Sequence, residues 1–188
     1  MRRGTDFVWV VDPLDGTTNY SNSIPVFTVS IALTYRGRSV TGVVYAPYFN
    51  ELFYNKGNDI FTNKNRVNAS KKDSLENSLI YFGFNSFDPA ESEEGVKIFN
   101  ALAETEGVRL RKIGCSSLCL AYIAAGRGDA YVDPHMKPWD MAGAGLFVEK
   151  VGKITGMKGG EWNPFSKGAV ASNGRIHDKI LEILKGVI

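Results

Sequence analysis

Cysteine, histidine and long apolar runs are all scarce in this chain of 188 residues. Its two cysteines exclude the disulfide framework of a small secreted protein and are typical of reducing surroundings. The 22 basic and 20 acidic side chains leave a formal net charge of +2, which is too balanced for a nucleic-acid-binding surface. No apolar run is long enough to cross a bilayer, and the first residues lack the apolar core of a signal peptide. We therefore expect a cytoplasmic protein that binds neither nucleic acid nor a membrane.

The composition that is present, 44% hydrophobic and 22% charged residues, is that of a globular protein. The length suits one hydrophobic core, so we predict a single domain over residues 1–188. Residues 1–70 are predicted to form mostly antiparallel sheet joined by hairpins, and strands alternate with helices over residues 78–188. The predicted fold class is therefore α/β or α+β, with an antiparallel first sheet followed by a mixed α/β half.

A continuous apolar run at residues 7–11, Phe-Val-Trp-Val-Val, predicts a strand buried on both faces. Such a strand needs neighbours, so we expect the natural domain to extend upstream of it. Further strands are predicted over residues 26–34, 39–46, 51–54, 59–62, 79–84, 109–113, 129–133, 153–157 and 169–171. Helices are predicted over residues 91–106, 116–125, 139–151 and 176–185.

An acidic turn, Asp-Pro-Leu-Asp-Gly-Thr-Thr, follows the first strand at residues 12–18. The carboxylates of Asp12 and Asp15 emerge at the rim of a sheet, where α/β proteins commonly bind ligands. Gly16 allows close backbone approach, and free N–H groups at the start of a short helix would form an anion site. Carboxylates repel an anion unless a cation lies between them, so the turn indicates a divalent metal shared with a phosphate. The alternative is an ordinary turn, because Asp, Pro and Gly favour turns for local reasons.

Three well-known ways in which proteins bind or cleave phosphate without such a turn each need a motif that this sequence lacks. An aspartyl-phosphate mechanism needs Asp-x-Asp, whereas Asp12 and Asp15 are three residues apart. A cysteine phosphatase needs Arg six positions after Cys, and a Walker loop needs Gly-Lys-Ser/Thr, which residues 152–154 do not match. Cys115 and Cys119 are followed at that position by alanines, so we interpret both as buried inert thiols. What remains is metal-activated water with no covalent intermediate.

Residues 9–20, Trp-Val-Val-Asp-Pro-Leu-Asp-Gly-Thr-Thr-Asn-Tyr, resemble the signature of the inositol monophosphatase family, and residues 137–145, Lys-Pro-Trp-Asp-Met-Ala-Gly-Ala-Gly, resemble its second signature. Residues 171–177 give a third, weaker match. This superfamily of Mg²⁺-dependent, Li⁺-sensitive sugar phosphatases also contains fructose-1,6-bisphosphatases. The resemblance runs from the first strand to the C-terminus and implies their layered α/β sandwich.

Members of that family carry an N-terminal segment with two helices and a Gly-Glu-Glu motif, whose Glu ligates metal. The resemblance therefore implies an N-terminally truncated member that lacks those helices. We expect such a chain to be impaired in activity and to leave the strand at residues 7–11 with an uncovered apolar face or edge.

The resemblance also implies roles for individual residues. The implied metal ligands are Asp12, the Leu14 carbonyl, Asp15 and Asp140, with Asp12 bridging two metals. The implied catalytic residues are Asp12 and Thr17, whose hydroxyl would orient the attacking water.

Substrate contacts are implied in the same way. The implied substrate-binding residues are Asp15, Gly16, Thr17, Gly114, Cys115, Ser116 and Asp133. Among them, the N–H groups of Gly16 and Thr17 would hold phosphate, and Asp133 would bind sugar hydroxyls. His135 is either a further substrate contact or a surface-loop residue, and His177 is predicted either to cap the last helix or to pack against it.

The implied activity is hydrolysis of a polyol or sugar phosphate, inositol monophosphate first, with Mg²⁺ as cofactor, Mn²⁺ as a substitute and Li⁺ as an inhibitor. Two alternatives stay open: a fructose-1,6-bisphosphatase, or a catalytically impaired member acting as a binding or regulatory partner. Lys137 or Arg127 would favour a bisphosphate by pairing with a second phosphate. The resemblance also implies a homodimer.

Overall fold

An antiparallel sheet of six strands forms the first part of the chain in the computed structural model, which describes residues 6–84 and 88–188. Its strands lie side by side in chain order: β1 Phe7–Asp15, β2 Thr28–Tyr35, β3 Arg38–Ala46, β4 Glu51–Lys56, β5 Asp59–Thr62 and β6 Asn65–Val67. The short helix α1, Thr17–Ser21, connects β1 to β2. The predicted hairpins are confirmed, strand β6 was missed, and residues 1–5 of the predicted antiparallel part lie outside the described residues.

A mixed sheet of five strands forms the second part, in the order β10-β11-β9-β7-β8. Its strands are β7 Leu79–Phe82, β8 Arg109–Arg111, β9 Ala130–Asp133, β10 Lys153–Thr155 and β11 Ala169–Ser172. Strand β7 runs parallel to β8 and β9, and β11 runs antiparallel to β9 and β10. The helices are α2 Pro89–Ala103, α3 Ser116–Ala124, α4 Pro138–Val151 and α5 His177–Lys185. The predicted α/β half is confirmed, with ends that differ by a few residues.

Two buried clusters hold these elements in layers. One cluster joins the inner face of the six-stranded sheet to α3, α4 and one face of the five-stranded sheet. The other joins the opposite face of the five-stranded sheet to α2 and α5. The helices α3 and α4 therefore lie between the two sheets, which confirms the predicted layered sandwich.

Small side chains, rather than large ones, face α3 and α4 from the six-stranded sheet. On β2 the buried positions include Thr28, Ser30 and Ala32, while the larger side chains between them are only half-buried. The backbones touch at Gly42 and Gly143, since a Cβ on Gly42 would lie 2.7 Å from the Gly143 carbonyl oxygen. This close approach seats α4 directly on the sheet beside the end of β1.

Strand β1 is the edge of its sheet, and the prediction that it is buried on both faces is wrong. Phe7 and Trp9 are 56% and 65% exposed, and Val11 is also exposed. These three side chains pair across to β2 on the sheet face that points away from α4. The expectation of an uncovered apolar face at this strand is therefore confirmed for the described residues. Within those residues, no helix is both long enough and apolar enough to cross a membrane.

His177 is buried at the start of α5, as predicted. Its ring nitrogens lie 2.9 Å from the Ser172 hydroxyl and 3.0 Å from the Thr155 hydroxyl. Burial lowers the pKa of His177 from 6.5 to about 4, and the charge of Lys153 acts in the same direction.

We predict that this histidine makes stability depend on pH between about 4 and 6.5. In that window the unfolded chain binds a proton at His177 that the folded chain does not, so the free energy of unfolding rises with pH and levels off above it. Urea unfolding at several pH values measures how steeply the free energy of unfolding rises with pH. This rise should be shallower for His177→Gln than for the wild type. An unchanged slope would contradict the prediction, whatever the variant costs in overall stability.

Candidate active site

Three carboxylates from two distant parts of the chain meet at the end of β1. One oxygen each of Asp12, Asp15 and Asp140 lies within 4.8 Å of the others. Residues three apart on a regular strand point to opposite faces, but a register shift falls between Asp12 and Asp15. Asp12 pairs with Ser30 and Asp15 with Thr28, so both carboxylates emerge on the face that α4 covers.

Asp140 reaches the cluster from the first turn of α4. Its Oδ2 accepts a hydrogen bond of 2.7 Å from the Lys137 backbone N–H, which caps the helix. The hydrogen bond fixes the carboxylate to the first turn of the helix, which lies at the end of β1.

Burial and the neighbouring charges raise the pKa of two carboxyl groups in this cluster, Asp140 and Asp12. The pKa of Asp140 is raised to about 7, first by burial and then by the charges of Asp15, Asp12 and Asp133, while the hydrogen bond from Lys137 acts in the opposite direction. The pKa of Asp12 is raised by burial and by Asp15, although the Leu14 N–H donates to its Oδ1 at 3.0 Å. Three converging oxygen donors with unfavourable mutual repulsion fit a hard divalent cation. The Leu14 carbonyl stays a predicted ligand.

Asp15 is fixed from the opposite side by the start of α3. Its Oδ2 accepts hydrogen bonds of 2.7 Å from both the backbone N–H and the hydroxyl of Ser117. The Cys115 thiol lies 3.3 Å from the same oxygen. Burial raises the pKa of Cys115, and the charge of Asp15 adds to the effect. Cys115 and Cys119 are both buried and free, as interpreted from the sequence.

A cavity of about 480 Å³ opens beside the carboxylates. Eight of the predicted site residues line it: Asp15, Gly16, Thr17, Gly114, Cys115, Ser116, Asp133 and Asp140. Asp12 and Leu14 are not in the lining, although the Asp12 carboxylate belongs to the cluster at its edge. The structure thus brings the two sequence motifs and the predicted substrate contacts into one place.

The turn after β1 fits only glycine at position 16. Gly16 has a φ of +85°, and a Cβ there would lie 2.7 Å from the Val26 carbonyl oxygen. Thr17 begins α1 and is exposed to the cavity. The Asn19 amide donates to the carbonyls of Val26 and Ile113, both at 2.8 Å, and ties α1 to the loop before α3. Sequence reasoning missed this role because the contact with Ile113 spans 94 positions.

Asp133 also lines the cavity, buried on β9. Its Oδ2 is 2.7 Å from the Tyr131 hydroxyl, and its Oδ1 accepts the His135 backbone N–H at 3.0 Å. Gly83 makes room for this pair, since a Cβ there would lie 2.2 Å from Asp133 Oδ2. Burial raises the pKa of Asp133 against these hydrogen bonds. Sequence reasoning missed Tyr131 and Gly83, although strand alternation places Tyr131 on the face of Asp133.

Two lysines also line the cavity. Lys137 lies there as the sequence suggested, and Lys112 was missed; its ammonium lies 4.7 Å from the centre of the Phe84 ring. Arg127, which the sequence offered as the alternative to Lys137, is not in the lining and instead pairs with Glu51 at 2.6 and 2.7 Å. His135 lines the cavity with a buried side chain, which excludes the surface-loop alternative.

We predict that divalent cations bind this cluster more tightly at pH 8 than at pH 6. A cation competes with the proton on Asp140, whose pKa is about 7, so binding should release a proton near neutral pH. Calorimetric titration with Mg²⁺ in two buffers of different ionisation enthalpy measures both the affinity and the released proton. Asp140→Asn should abolish binding, whereas the exposed Asp178→Asn should leave it unchanged. Equal affinity at both pH values would contradict the prediction.

Comparison with known proteins places these observations in a family. All 188 residues match the inositol monophosphatase family. The chain is 36% identical to a "Fructose-1,6-bisphosphatase/inositol-1-monophosphatase" of Thermotoga maritima, over 97% of this chain and 70% of that protein. It is also 36% identical to the "Nus factor SuhB" of Pseudomonas aeruginosa, over 97% of this chain and 68% of that protein.

A solved structure shows the same fold. The inositol monophosphatase from Anabaena (Nostoc) superimposes with a TM-score of 0.92 at 32% identity, over all of this chain and 75% of that chain. The match over the full sequence, the identities above 30% and this structural agreement lead to one conclusion: the chain belongs to the inositol monophosphatase family.

Proposed function

We propose that this protein is a Mg²⁺-dependent phosphomonoesterase that hydrolyses a polyol or sugar phosphate, with inositol monophosphate as its preferred substrate. The observation that carries the proposal is the cluster of Asp12, Asp15 and Asp140 at the edge of a cavity that Asp133 also lines. The carboxylate cluster suits a cation and a phosphate, and Asp133 suits hydroxyl groups. The names of the relatives from Thermotoga and Anabaena agree with this chemistry.

Asp12, Asp15 and Asp140 would hold the cation, together with the Leu14 carbonyl. When bound, Mg²⁺ supplies acidification of a ligated water and neutralises negative charge on the phosphoryl group. Mn²⁺ would substitute because it accepts the same oxygen ligands, and Li⁺ inhibition is proposed from the family resemblance alone.

The other predicted residues bind and orient the substrate. The backbone N–H groups of Gly16 and Thr17, at the start of α1, would donate to the phosphate oxygens. Thr17 lines the cavity, and its hydroxyl would orient the attacking water. Asp133, held by Tyr131 and the His135 backbone, would accept hydrogen bonds from substrate hydroxyls.

A binding or regulatory role is the second candidate. The observation that favours it is the relative named as a Nus factor, which is as similar to this chain as the phosphatase from Thermotoga. A fructose-1,6-bisphosphatase is the other enzymatic candidate, because Lys112 and Lys137 in the cavity would pair with a second phosphate.

We predict Mg²⁺-dependent release of inorganic phosphate from inositol 1-phosphate. A colorimetric assay with Mg²⁺ and with a chelator should show activity only with the metal. Asp12→Asn should abolish the activity because it removes a carboxylate from the cluster, while Asp178→Asn serves as the matched control. Metal binding without any phosphate release from the wild type would reject the enzymatic proposal and favour the regulatory one.

We predict that Asp133→Ala lowers kcat/KM for polyol phosphates more than kcat/KM for a simple aryl phosphate. The aryl substrate has no hydroxyl groups that could donate hydrogen bonds to Asp133. Only the polyol phosphate therefore loses transition-state binding energy in the variant. The loss of a hydrogen bond to a charged group corresponds to about 10–100-fold in kcat/KM. Equal losses on inositol 1-phosphate and p-nitrophenyl phosphate would remove Asp133 from the recognition of hydroxyls.

A further inference from the structure

We propose that Ser117, supported by Thr28, is a positioning residue that orients the Asp15 carboxylate for metal binding. The proposal rests on the proposed metal site. In it, two hydroxyl groups that are not metal ligands, those of Ser117 and Thr28, orient the carboxylate of Asp15, which is one. Neither hydroxyl lines the cavity, and neither would touch substrate or metal.

Ser117 meets Asp15 through two groups at once. Its side chain is fully buried, and both its N–H and its Oγ lie 2.7 Å from Asp15 Oδ2. Ser117 belongs to the first turn of α3, where backbone N–H groups have no partner within the helix. The N-cap residue, Cys115, makes no side-chain cap of its own. Asp15 therefore caps α3 from a strand about 100 positions away in the chain.

Thr28 fixes the direction of these hydrogen bonds. Its Oγ1 is fully buried and lies 2.6 Å from Ser117 Oγ. An ionised carboxylate only accepts hydrogen bonds, so the Ser117 hydroxyl donates to Asp15. The proton between the two hydroxyls must then come from Thr28. A directed chain of donors results, from Thr28 to Ser117 to Asp15, in which each bond polarises the next.

The first and last residues of this chain of donors, Thr28 and Asp15, are also connected through the sheet. Thr28 is the partner of Asp15 in the pairing of β1 with β2. Strand β2 thus holds Asp15 through the backbone and again through Thr28 and Ser117. Two strong donors on Oδ2, with the Cys115 thiol nearby, occupy that oxygen and prevent rotation of the carboxylate. Oδ1 is left as the oxygen offered to a cation.

The inference predicts that Ser117→Ala weakens metal binding although every ligand remains. Loss of a partner that orients a metal ligand typically costs about 10–100-fold in affinity. The measurement is Mn²⁺ binding by electron paramagnetic resonance without substrate, with Mg²⁺ competition, on protein whose circular dichroism confirms the fold. A purely structural role would lower the melting temperature and leave the affinity of the folded protein unchanged, which would overturn the proposal.

Thr28 offers a matched pair of variants should Ser117→Ala fail to fold. Thr28→Val keeps the shape and removes the hydroxyl, whereas Thr28→Ser keeps the hydroxyl. We expect weaker Mn²⁺ binding for the first and near wild-type binding for the second; equal affinities for the two would overturn the proposal. A wild type that binds Mn²⁺ without releasing phosphate would defeat the proposed function alone, and one that binds no metal would defeat both.

Discussion

Repulsion between three carboxylates is the constraint on which this structure depends. Asp12, Asp15 and Asp140 would separate if each were free, because like charges repel one another in a partly buried site. Each is held by a separate hydrogen bond from the backbone: Asp12 by Leu14, Asp15 by Ser117 and Asp140 by Lys137. The fold therefore stores an electrostatic cost at one point, and binding of a cation is the event that relieves it.

The layered architecture explains how two motifs far apart in the chain converge. Strand β1 ends at the rim of the first sheet, and α4 begins there because it lies between the sheets. The same middle layer contains α3, whose first turn meets Asp15. The cavity thus forms where two helix starts and a strand end meet, while Asp133 reaches it from the second sheet.

Local sequence patterns predicted most elements and the carboxylate cluster, but not their surroundings. A run such as Phe7–Val11 has the same composition whether it lies at the centre of a sheet or at an edge, so burial of β1 was predicted wrongly. Asp12, Asp15 and Asp140 were found because their motifs are contiguous in sequence. Ser117, Asn19 and Gly83 act through contacts between distant segments, and no local pattern carries that information. Arg127 misled for the same reason, since its partner Glu51 lies on β4, 76 positions away in the chain.

The contact between Gly42 and Gly143 has a consequence for the precision of the site. Gly143 lies one helical turn beyond Asp140, and a helix transmits a displacement along its length with little bending. The thickness of two bare backbones thus sets how far the Asp140 carboxylate stands from the end of β1. A single added methyl group at Gly42 would push the α4 backbone away from the sheet and so widen the carboxylate cluster without altering one of its residues. The tolerance of this site to mutation therefore depends partly on two residues that have no side chain and take no part in the chemistry.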